Sequence, residues 1–221
     1  MAFKGDKKVG KWLLAEGEEK LKMWLLPKVP KRVETYHLTL STIPWCLIII
    51  LCSFLSRYNI HFLWVVSLMI FFQYITDLLD GAVGRSRDTG LVKWGYYMDH
   101  FLDYIFLCSI LIGYGLMTED YNKYMMFYIL MLFGAFMVNS FLSFAATGAF
   151  RISYMGIGPT EMRLVFILVN TVIIFCHNLF NMSLLLPIVL TGATFLLFVT
   201  VYQTQKELWA IDMEAKRNAE K

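Results

Sequence analysis

The sequence predicts an all-α integral membrane protein, with six transmembrane helices preceded by an N-terminal amphipathic interfacial helix. Three observations carry that prediction. The 221 residues are 58% hydrophobic and only 17% charged, against about a quarter charged in ordinary soluble domains. The apolar residues gather into runs of helical length, each long enough to cross roughly 30 Å of hydrocarbon. The Lys and Arg residues fall almost entirely between those runs or near their ends.

The first element is the N-terminal segment, residues 1–35. Trp12, Leu13, Leu14, Leu21, Trp24, Leu25 and Leu26 interleave there with Lys11, Lys20 and Lys22. Leu14, Leu21 and Leu25 share one helical face with Trp24 beside it, the pattern of a helix lying in the headgroup plane. A partly disordered basic tail is the alternative. Pro27 and Pro30 end the segment. No signal peptide is expected, because the charged N-terminus lacks a small-residue cleavage site.

The spans are expected at Leu38–Ser56, His61–Asp80, Leu91–Met117, Tyr124–Ala146, Thr160–His177 and Leu184–Gln203. They are expected to make one transmembrane domain, residues 36–205, with a cytoplasmic tail at 206–221. Orientation follows from Lys and Arg. The segment from Lys4 to Arg32, the loop with Arg85, Arg87 and Lys93, the region of Arg151 and Arg163, and the tail with Lys206, Lys216, Arg217 and Lys221 lie on one side. Only Arg57 and Lys123 lie on the other, so both termini are expected in the cytoplasm. Cys46, Cys52, Cys108 and Cys176 each sit in an apolar run and read as small buried hydrophobes. No Cys/His spacing indicates zinc or redox chemistry, and nothing indicates a nucleic-acid partner.

Against this apolar background stand four aspartates. Asp77, Asp80, Gly81, Gly84 and Arg85 recur at i, i+3, i+4, i+7 and i+8, one stripe of a helix. Gly95, Asp99 and Asp103 recur at i, i+4 and i+8 on the next helix. The short link between them, Ser86 to Trp94, makes the two helices antiparallel neighbours, so four carboxylates meet near the cytoplasmic ends. Each Asp at membrane depth costs about 2.5–3.5 kcal/mol on insertion scales, and the four repel one another. Divalent cations are the natural compensation, and hard carboxylate oxygens suit Mg²⁺ or Mn²⁺. A pair of ions would clamp a diphosphate during displacement. The glycines fit either close approach of a ligand or plain helix packing. Arg85 fits either an ion pair or a bidentate phosphate contact. His100 stands about 100° round the helix from Asp99 and is expected to face away.

This stretch resembles the signature of the CDP-alcohol phosphotransferases, DxxDGxxAR followed after eight or nine residues by GxxxDxxxD. It matches at every fixed position but one, Gly84, where the family usually has Ala. The resemblance implies a six-helix homodimer open to cytoplasm and lipid. It implies Asp77, Asp80 and Asp99 as metal ligands, Asp103 beside the metal as general base, and Gly81, Gly84 and Arg85 against the CDP moiety. The reaction it implies is attack of an alcohol hydroxyl on a CDP-linked donor with release of CMP, one of the two substrates being a lipid. Tyr36-His-Leu-Thr39 is similar to the family's PNxLT entry motif, which would put Thr39 near the nucleotide; an interfacial cap is the alternative. Thr147-Gly148-Ala-Phe-Arg151, followed by Ile157-Gly158-Pro159-Thr160-Glu161, is similar to a stretch of the choline/ethanolamine phosphotransferases. It would place Arg151 on a phosphate and Glu161 on a cationic headgroup, with helix capping as the other reading of Thr160-Glu161. For the donor, chain length leans slightly to CDP-diacylglycerol, whereas the Thr-Glu resemblance points to CDP-choline or CDP-ethanolamine with a lipid acceptor. A cation transporter using the acidic cluster is the alternative of another class. It is disfavoured, because the acids sit at one end of their helices and the halves do not repeat.

Overall fold

The computed structural model describes residues 7–9, 13–118, 120–151, 158–176 and 182–220; the side chains of 7–9, 120, 149–151 and 182–185 fall outside that description. Trp12, Lys4, Lys11, Ile157, His177 and Lys221 therefore lie outside the described residues.

Among the described residues, six helices are long and apolar enough to cross a membrane. The N-terminal helix α1, Ala15–Leu25, precedes them. Glu16 and Glu18 in its first turn and Lys22 in its last complement the helix dipole. None of its residues is buried, and Leu13, Met23 and Trp24 are openly exposed. A 3₁₀ turn at Leu26–Lys28, with Pro27 inside it, ends the helix as expected.

The first span is made of two pieces, α2 (Thr35–Leu40) and α3 (Thr42–Leu55). Glu34 and His37 form a reciprocal capping box at the head of α2, and the Glu34 N–H donates to His37 Nδ1 at 3.0 Å. Helix α4, Phe62–Ser86, runs past the expected end at Asp80 and carries the whole aspartate–glycine–arginine stripe on one helix. Asp88 and Gly90 then take positive φ angles of 50° and 69° to turn the chain, conformations Asp and Gly tolerate best. The remaining spans are α5 (Val92–Met117), α6 (Asp120–Thr147), α7 (Pro159–Cys176) and α8 (Met182–Ala219). Helix α8 continues well beyond the expected Gln203, because residues 206–219 are almost all strong helix formers without Gly or Pro. A short parallel pairing joins β1 (Lys7–Val9) to β2 (Ala149–Arg151).

The packing refines one expectation. Helices α2 and α3 pack against both α4 and α5, and α4 and α5 face each other across the acidic residues, where Gln73 reaches Asp103 at 3.4 Å. The core of Ile49, Leu63, Val66, Ile70 and Ile110 fills the α3–α4–α5 junction, each 1% exposed or less. Large apolar side chains such as Leu51, Trp64, Phe71, Ile112, Phe127 and Phe195 point outward, the surface a bilayer would cover. Cys46 and Cys52 are buried, Cys108 and Cys176 partly so, and all are free thiols.

Gly113 sets the α3–α5 distance. A Cβ there would lie 2.9 Å from Ser53 Cβ and 2.5 Å from its Oγ. Gly113→Ala is expected to destabilise the fold by about 1–3 kcal/mol through overpacking. Denaturant melts in detergent check this; an unchanged midpoint would mean that the two helices separate freely.

Candidate active site

The site begins with α4. Its stripe places Gln73, Asp77, Asp80, Gly81 and Gly84 towards α2 and α7, which both pack on it. Helix α5 brings Asp99 and Asp103 from the other side. One carboxylate oxygen from each of Asp77, Asp99 and Asp103 lies within 4.8 Å of the others. Three hard anionic ligands at that spacing fit a small divalent cation.

Asp80 stands outside that cluster and is held differently. The Thr39 hydroxyl lies 2.7 Å from Asp80 Oδ2, and the Gly81 N–H contacts Oδ1. The Thr35 hydroxyl donates to the Asp80 backbone carbonyl at 2.6 Å. Thr35 and Thr39, one turn apart on α2 and both buried, thus clamp the middle of the stripe. Gly84 permits this approach, since a Cβ there would stand 3.2 Å from Thr35 Oγ1. The structure places Thr39 against Asp80, behind the cluster.

Arg85 is exposed and makes no ion pair among the described residues. Its guanidinium curls back over Gly81, 3.3 Å from where a Cβ would stand. It is therefore available for an anion outside the chain. His100 does not turn fully away: Nδ1 lies 3.3 Å from Asp99 Oδ2, while the ring packs on Tyr96 and Phe141.

The residue that sequence reasoning missed is Arg163. It was counted among the loop charges that set orientation, yet it lies one turn inside α7 and is only 5% exposed. Its Nη2 donates to Asp77 Oδ2 at 2.9 Å and to Asp103 Oδ1 at 3.1 Å. Its Nε donates to Gln73 Oε1 at 2.8 Å, and Gln73 Nε2 reaches Asp103 Oδ1 at 3.4 Å. Asp103 Oδ2 carries no hydrogen bond among the described residues. A signal existed: Arg163 breaks an expected span just as the aspartates do, and Gln73 stands four residues before Asp77 on their stripe.

Other predicted residues take their places around this centre. Arg151 closes β2, and its side chain is outside the described residues. Glu161 is used for capping: one oxygen accepts the Gly158 N–H at 2.9 Å, half of a capping box. The other accepts the Leu14 N–H at 3.0 Å, and the Thr160 hydroxyl meets Glu18 at 2.8 Å. These bonds fasten the N-terminal segment to the head of α7. Arg87, missed as well, ties the linker to the end of α4 through the carbonyls of Pro30 and Val33 and stands 3.8 Å from Glu34.

Neither a curated protein nor a solved structure matches the chain. The model of one family, CDP-alcohol phosphatidyltransferase, matches residues 36–208, which include every aspartate of the cluster and all or most of each span. The chain belongs to the CDP-alcohol phosphatidyltransferase family, a group of transferases of phosphate-containing groups.

Proposed function

We propose that this protein transfers a substituted phosphate from a CDP-linked donor to an alcohol hydroxyl, releasing CMP, in phospholipid synthesis. The observation that carries the reading is the gathering of Asp77, Asp99 and Asp103 within 4.8 Å. The family is generally dependent on a divalent metal, and the carboxylate set fits Mg²⁺ or Mn²⁺, one or two ions, held by Asp77, Asp99 and Asp103 with Asp80 beside them. When bound, the metal supplies positive charge to the diphosphate oxygens. The chain's own residues do the rest. Gly81, Gly84 and Arg85 line the approach to the CDP moiety, with Arg85 offering an exposed guanidinium to a phosphate. Thr39 steadies Asp80. Asp103 takes the proton from the acceptor hydroxyl as the new oxygen–phosphorus bond forms, and the bond from phosphorus to CMP breaks.

One substrate is a lipid in this reading, which suits a site built between membrane helices. The donor leans to CDP-diacylglycerol; a CDP-aminoalcohol with a lipid acceptor is the second reading, carried by the resemblance at Thr160-Glu161. The Lys and Arg distribution supports cytoplasmic termini and a cytoplasmic site, and Arg163, buried among the acids, drops out of that argument without reversing it. The exposed apolar side chains of α1 support its placement at the membrane surface. The homodimer is carried by the family resemblance alone.

The test is CMP release. Purified protein is offered CDP-diacylglycerol, CDP-choline or CDP-ethanolamine with Mg²⁺ and a panel of polar and lipid alcohols. One donor–acceptor pair is expected to yield CMP together with a new phosphodiester seen by mass spectrometry. Absence of CMP with every pair would overturn the reading.

A further inference from the structure

Arg163 has a place that the transfer reaction alone does not explain. Its guanidinium is buried and engages two of the three clustered carboxylates, Asp77 Oδ2 at 2.9 Å and Asp103 Oδ1 at 3.1 Å. Gln73, 1% exposed, holds its Nε at 2.8 Å and supports the same Asp103 oxygen. The helix that carries Arg163 is fastened on both sides of it. Upstream, the head of α7 is bonded through Thr160 and Glu161 to the N-terminal segment. Two turns downstream, Asn170 is fully buried, donates to Ser67 Oγ at 3.0 Å and accepts the Tyr114 hydroxyl at 2.8 Å. The scaffold therefore delivers this positive charge to the carboxylates.

A guanidinium in contact with two ligands of a cation cluster does two opposing things. Without metal it offsets the repulsion among the acids and keeps a buried charge set paired, where an unpaired one would be strongly destabilising. Towards an incoming cation it is a competitor: it occupies lone pairs the ion needs and repels the ion's charge.

We propose that Arg163 is a built-in counter-cation that competes with the divalent metal for Asp77 and Asp103 and so sets the affinity of the site. Metal is then held firmly only once a diphosphate adds its own negative charge, which couples metal binding to donor binding. This rests on the reading of the aspartate cluster as a divalent-cation site.

The experiment is Mn²⁺ binding, measured by electron paramagnetic resonance on the full chain in detergent, without and with CDP. In the wild type, CDP tightens Mn²⁺ binding. In Arg163→Met, Mn²⁺ binds about tenfold more tightly without CDP, the scale of removing one adjacent like charge, and the gain from CDP shrinks. Thermal melts of Arg163→Met show a lower metal-free midpoint and a larger rise on adding Mn²⁺ than in the wild type. Gln73→Leu, which keeps the charge but loosens its anchor, shifts metal-free Mn²⁺ affinity in the same direction by a smaller factor and serves if Arg163→Met does not fold. Equal or weaker Mn²⁺ binding in the folded variants overturns the proposal. A wild type that binds no Mn²⁺ under either condition overturns the metal-site reading itself.

Discussion

Asp103→Asn is expected to lower turnover by about 10²–10⁴-fold, the usual contribution of a positioned general base, while donor binding persists. The substitution is isosteric, so the neighbouring helices should hold. Asp103 Oδ1 is engaged by Arg163 and Gln73 at 3.1 and 3.4 Å, so in the proposed reaction Oδ2 would be the oxygen that meets the acceptor. An amide at this position cannot take up a proton from the attacking hydroxyl, whichever way it is oriented. Asp77→Asn provides the contrast. Asp77 and Asp103 both belong to the carboxylate cluster and pair with Arg163, so either substitution should weaken Mn²⁺ binding, but only loss of the proposed base should slow CMP release once metal is saturating. Single-turnover CMP release, set beside equilibrium binding of the donor, separates the two cases. Full activity in Asp103→Asn would remove that residue from the base role.

Chelation is the second large effect. Stripping divalent cations with EDTA is expected to reduce CMP release to background, and excess Mg²⁺ or Mn²⁺ to restore it. Three carboxylate oxygens within 4.8 Å of one another repel one another and would repel a diphosphate, and Arg163 offsets only part of that charge. The same titration has a physical readout independent of turnover. Metal at 100 times its dissociation constant should stabilise the fold by about 2.7 kcal/mol, visible as a rise in the thermal midpoint. Turnover that survives thorough chelation would sink the metal assignment.

The success of sequence reading was uneven along the chain, and the reason is physical. The spans were legible because a bilayer imposes a local requirement, a long apolar helix with its backbone hydrogen bonds satisfied internally. The aspartate stripes were legible because charge at such positions is costly enough to demand a function. Helix α8 runs past the expected span end at Gln203 because hydropathy reports where lipid stops, whereas a helix can persist through Lys206–Ala219 on propensity. Arg163 was misread because one charge near a span end counts as interfacial in a positive-inside argument, and only its partners show that it points inward.

The sequence by itself determined six membrane-length helices, the grouping of four aspartates on two helical stripes, and the family those stripes belong to. Each follows from patterns within a few turns of one chain segment. Only the tertiary structure decided that α2 and α3 pack on both α4 and α5, and that Asp80 is clamped by Thr35 and Thr39. It alone brought Arg163, some sixty to ninety positions from its partners, into the acidic cluster. Helical period fixes which residues share a face but not which faces meet; that depends on packing between segments far apart in the chain.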